Sequence, residues 1–95
     1  MSDDQGQAPL NVYDVLAVWV EQMASIGWQK LGLQPDVITG KLATDLSQAK
    51  VAVDATSQLA DMLIPQLDEE DKRRIQNLIS DLRVNFVQKS QQGGG

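Results

Sequence analysis

Three runs of apolar residues at helical spacing, each bounded by its own start or stop signal, constrain this chain more than any other feature. In the first, Val12, Val15, Leu16, Trp19, Met23 and Ile26 recur at intervals of three and four. Asn11 precedes them as a cap, with Asp14 three residues on, and Gly27 and Gly32 mark the fraying end. The second run, Leu46, Ala49, Val53, Leu59, Ala60, Leu63 and Ile64, follows a capping Asp45 and stops near Pro65, whose ring cannot continue an interior helix. Asp68 opens the third, where Glu69, Glu70 and Asp71 suit the positive end of the helix dipole. Its stripe is Ile75, Leu78, Ile79, Leu82 and Phe86, with Lys89 near the negative end.

These runs predict an all-α fold: a three-helix unit, a long helical hairpin plus an N-terminal helix, with helices near 11–30, 45–64 and 68–88 in a single domain over 11–89. Residues 1–10, polar and carrying Gly6 and Pro9, are expected to form a flexible leader, and 90–95 a flexible glycine-rich tail. Pro35 and Gly40 break both helix and strand patterns between Gly32 and Thr44, which predicts an ordered loop or a short irregular turn.

The widths of the apolar arcs say what such a unit must do next. At about 100° per residue the third helix gathers its apolar residues within roughly 100°, as one buried face requires. On the first helix the arc spreads to roughly 180°, and Val18 and Trp28 lie outside even that. The second helix carries another stripe, Val51, Ala55 and Met62, beside its main one. Either these residues are simply exposed or a second surface covers them. With one small core available to 95 residues, the expectation is association, most simply with a second copy in a homodimer or higher homo-oligomeric helical bundle. The candidate interface residues are Val18, Trp28, Val51, Ala55 and Met62. Trp19, central in the first stripe, is expected in the core, whereas Trp28 is expected at an interface, intermolecular or with the following loop.

Composition narrows the function. A formal charge of -5 repels phosphate backbones and anionic lipid, so neither nucleic acid nor membrane is an expected partner. With no Cys and no His, the chain lacks thiol nucleophiles, thiolate or imidazole metal ligands and the commonest acid–base catalyst. No catalytic residue, cofactor, metal or small-molecule substrate is expected, and no enzyme. The start MSDDQGQAPL has neither the basic opening nor the apolar stretch of a signal peptide, which points to the cytoplasm.

Single features that suggest sharper chemistry have plainer explanations. Glu69, Glu70 and Asp71 point in different directions and answer the helix dipole rather than a metal. Lys72, Arg73 and Arg74 follow acids with which they can pair at helical spacing, and Asp81 and Arg83, two positions apart, do not face each other.

From Leu31 onward the residues Leu31, Gly32, Pro35, Thr39, Gly40, Asp45, Leu46, Gln48, Ala49, Lys50 and Asp54, followed by Glu69, Glu70 and then Asp81, Leu82, Arg83, Phe86 and Val87, resemble the bacterial family called domain of unknown function 1844. The resemblance spans about sixty residues and implies a short, helical, cytoplasmic bacterial protein without an assigned activity. Members commonly carry a Thr-Lys-Gly-Asn turn before the last helix, where this chain has Ile64, Pro65, Gln66 and Leu67.

The expected function is non-catalytic: a scaffold, adaptor or regulator acting through association with itself or another protein. An alternative is a small modifier recognised or conjugated through Gly93, Gly94 and Gly95, since a chain without side chains can thread a narrow active site.

Overall fold

The computed structural model describes residues 8–94, so the expected leader falls largely outside the described residues, as does Gly95. Three helices follow one another: α1 (Val12–Lys30), α2 (Leu46–Leu63) and α3 (Glu69–Gly94), with a 3-10 turn at Ile64–Gln66 between the last two. Each begins at the cap that the sequence offers. The Asn11 side chain accepts from the Tyr13 N–H at 2.8 Å, Asp45 from that of Gln48 at 3.1 Å and Asp68 from that of Asp71 at 2.8 Å. Pro65 stops α2 as expected. Among the described residues there is no strand.

Two glycines near the end of α1 differ in role. Gly32 adopts φ 76°, which lets the Leu33 N–H donate to the Trp28 carbonyl and the Gly32 N–H to the Gln29 carbonyl, both at 3.0 Å. This is the paired C-terminal cap that a left-handed residue makes possible. Gly27 does not mark a frayed end. It lies inside α1, buried, where an added Cβ would stand 3.4 Å from Leu82 Cδ2 and 3.7 Å from Ala52 Cβ.

The intervening loop is ordered by its own polar groups. Asp36 Oδ1 accepts from the Ile38 and Thr39 N–H groups, Gln29 Oε1 accepts from Val37, and Asp36 exchanges backbone bonds with Gly40 and Lys41. A bridge between Leu31 and Thr44, and a bond from the Asp45 N–H to the Lys30 carbonyl at 2.8 Å, close the loop and start α2 back along α1.

Packing fixes the direction of each helix. Val20 meets Ala60 and Leu63 at one end of the hairpin, and Ala24 and Leu31 meet Ala49 and Val53 at the other, so α1 and α2 are antiparallel. Ile75 and Ile79 join the first cluster and Leu82 the second, so α3 runs back against α2. Thr56, buried at the centre, spends its hydroxyl on the Ala52 carbonyl of its own helix at 2.7 Å. The result is long and flat, 59 × 31 × 18 Å, with a radius of gyration of 16.1 Å. A compact domain of this length would have one near 13 Å.

Trp19 is not in the core: it is 55% exposed, and Val12 and Ile26 of the same stripe are exposed with it. The buried face of α1 is Val20, Ala24 and Gly27, continuing into Leu31, roughly 100° around the helix from the bulky stripe. Small side chains let α1 approach the equally small Ala49, Ala52 and Ala60 of α2, and the dispersion attraction between backbones brought so close favours this face over the bulkier one. Nor is the C-terminal segment a tail as expected, since α3 continues through Ser90 to Gly94. Glycine costs a helix about 1 kcal/mol relative to alanine but does not block it as proline does.

The two glycines of α1 make opposite predictions. Gly27→Ala fits the available space and should raise stability by up to about 1 kcal/mol. Gly32→Ala should lower it by about 1–2 kcal/mol or more, because φ is left-handed and the new Cβ meets Thr44 Oγ1. Urea unfolding monitored by circular dichroism measures both, and a Gly32→Ala chain as stable as the parent would contradict the cap.

Candidate protein interface

Because small residues turn α1 toward α2, its bulky residues are turned away. Val12, Trp19 and Ile26 are exposed and Val15 and Met23 half-buried along one side of α1. On α2, Val51 and Met62 are 67% and 57% exposed, with Ala55 and Leu59 half-buried beside them.

The position of α3 shows that these two stripes form one surface. Arg74 of α3 reaches Glu21 of α1 at 3.1 Å, and Arg83 donates to Ser57 of α2 at 2.8 Å. Two positions along a helix turn it by about 200°, so Trp19 lies nearly opposite Glu21, and Ala55 nearly opposite Ser57. Hence α3 covers one face of the α1/α2 hairpin, and the apolar stripes occupy the other.

That second face carries no charge before Lys30 at its edge. The ionisable side chains of α2 are Lys50, Asp54 and Asp61, and they lie on the side of α2 that borders the α3 groove. On α1, Glu21 faces α3, Asp14 seven residues earlier lies on the same side, and Lys30, in line with the stripe, stands at the end of the helix. The polar members near the stripes are glutamines, Gln22 on α1 and Gln48 and Gln58 on α2. An uncharged apolar centre with an amide rim is the pattern of a surface that another protein covers.

Of the residues that the sequence nominates, Val51, Ala55 and Met62 come together on this face. Val18 is exposed but points elsewhere, sharing a shallow hollow with Ala17, Glu21 and Gln22. Trp28 packs against the cluster of Ala24, Leu31, Ala49, Val53 and Leu82 and belongs to the margin of the core. The residues missed are Val12, Val15, Trp19 and Ile26, whose size and spacing point to a core stripe. The signal that finds them is Ala17, Val20, Ala24 and Gly27, a second helical stripe made of small residues.

A second concavity, of about 360 Å³, lies between α2 and α3 and is lined in part by Ser57, Asp61, Gln76, Ser80 and Arg83. Arg83, which lines it, donates to Ser57 at 2.8 Å, and farther along the same groove Lys50 pairs with Asp54 at 2.8 Å. Elsewhere Lys72 pairs with Glu69 and Arg74 with Asp71, the local pairing expected of this acidic and basic turn. Among the described residues, no group of three or more acidic side chains is placed to hold a metal ion. Among them, too, no helix is long and apolar enough to cross a membrane.

Among the described residues two carboxyls, Asp36 and Asp45, lie below the usual range, and both serve the backbone. Backbone N–H groups of Ile38 and Thr39 stabilise the charged form of Asp36, and that of Gln48, with the Ser47 hydroxyl, that of Asp45. A depressed folded pKa contributes stability that is complete above the unfolded value of about 3.9 and is lost as pH falls through the lower folded value. Below pH 4 the loop and the start of α2 should therefore loosen first, seen as faster amide exchange at Ile38, Thr39 and Gln48. Asp45→Asn should remove the pH dependence at Gln48 alone; unchanged acid sensitivity there would contradict the capping role.

Comparison with curated proteins and with solved structures finds no match. A family model described as a domain of unknown function matches residues 13–88, which takes in all of α1 but its first residue, the loop, α2 and most of α3. The chain therefore belongs to the DUF1844 family.

Proposed function

We propose that this protein is a non-catalytic association protein, a scaffold, adaptor or regulator that works through contact with other protein chains, its own copies included. The observation that carries the reading is the uncharged apolar face of the α1/α2 hairpin, which α3 leaves uncovered. Elongation supports it as well, since a flat unit of three helices offers much surface for its mass.

Catalysis has little to draw on. The sequence contains neither Cys nor His, and the two depressed carboxyls, Asp36 and Asp45, hold a turn and a helix cap. The cytoplasm is the compartment this reading assumes, in keeping with a cysteine-free acidic chain. The modifier alternative gains no support from the glycines, because Gly94 lies within α3 rather than in an extended segment.

The test is the native mass of the protein in extracts of cells that carry it, from gel filtration combined with gradient sedimentation so that elongation does not mimic size. The expected result is a species well above the 10.4 kDa of one chain. Recovery of the protein as a free single chain would overturn the association reading.

A further inference from the structure

We infer that the uncovered α1/α2 face is a self-interface, closed about a twofold axis by a second copy of this chain, with α3 of each protomer on the outside. This rests on the association reading and names the partner. Area is the first argument. A helix of 19 residues is about 28 Å long, and two adjacent helices are about 20 Å wide, giving roughly 550 Å² in projection. Side-chain relief raises the accessible area above the projection, toward the 800 Å² or so per partner of a stable dimer.

Charge is the second. Each chain carries a formal -5, so two copies repel one another through most of their surfaces. A twofold axis also sets the residues beside it against their own copies, so a charge there would meet its own sign. The stripe that Val12, Trp19 and Ile26 form on α1 contains none until Lys30, its last residue, and that of Val51, Ala55 and Met62 on α2 contains none. Glutamine amides at the rim carry both donor and acceptor, so they can bond to their own kind across the axis. A dissimilar partner is selected by charge and polar pattern, and this face presents little of either.

Light scattering on the purified full chain, across micromolar concentrations, tests the inference. The parent should show twice the 10.4 kDa chain mass. Trp19→Glu and Met62→Glu, each at an exposed position, should keep the helical circular dichroism and raise the dimer dissociation constant at least about a hundredfold. Val84→Glu, comparably exposed on α3, should change it less than about threefold. A parent that stays at one chain mass, a mass above two copies, or loss of the dimer in Val84→Glu but not in the other two would overturn the twofold arrangement. A purified monomer that is large in the native extract sinks this interface while leaving the association reading intact; a single chain in both sinks the two together.

Discussion

α1 packs on α2 and α3 through small residues, and at Gly27 the room between it and Ala52 and Leu82 is that of a single methyl group. That close approach governs the rest of the molecule. Once Val20, Ala24 and Gly27 face Ala49, Ala52 and Ala60, helical geometry turns Val12, Trp19 and Ile26 about 100° away from that contact. Tight packing of small residues holds the hairpin, and the large residues that would ordinarily provide the burial remain available. The buried apolar set accordingly contains four alanines, and Leu31, Leu63 and Leu82 are its largest fully enclosed members.

Everything outside that contact serves to fix it or to cap it. The left-handed Gly32, the Asp36 turn and the Leu31 to Thr44 bridge return the chain so that α2 meets α1 in this register. α3 then supplies Ile75, Ile79 and Leu82 to a single face of the hairpin. Its ion pair to Glu21 is exposed and adds little energy, but it marks the side on which α3 lies. A fourth element would be needed to cover the other face, and the described chain has no further helix to provide it.

Much of this is legible in the sequence. Caps at Asn11, Asp45 and Asp68, with the stop at Pro65, locate the helices, because each depends on a local hydrogen bond or a local clash. The second stripe of α2 is legible too, since Val51, Ala55 and Met62 are displaced from a main stripe that is itself buried. The inward face of α1 is not. Its large and small residues each form a helical stripe, and periodicity alone does not say which faces inward; that choice belongs to the partner helix, whose own small residues are decisive only when both are packed. For the same reason Trp19 is exposed and Trp28 packs against the core, the reverse of what the stripe suggests. The continuation of α3 through Gly94 escapes a reading by composition because glycine discourages a helix without ending it.

The most direct measurement of the central claim is an isotope-filtered nuclear Overhauser experiment on an equal mixture of carbon-13-labelled and unlabelled chains, which reports only contacts between copies. A twofold α1/α2 interface gives contacts between chains from the Trp19 indole and the Met62 methyl, and none from Val84 or Val87 of α3. Contacts between copies confined to α3, or an absence of any at concentrations where the assembled mass is observed, would contradict it.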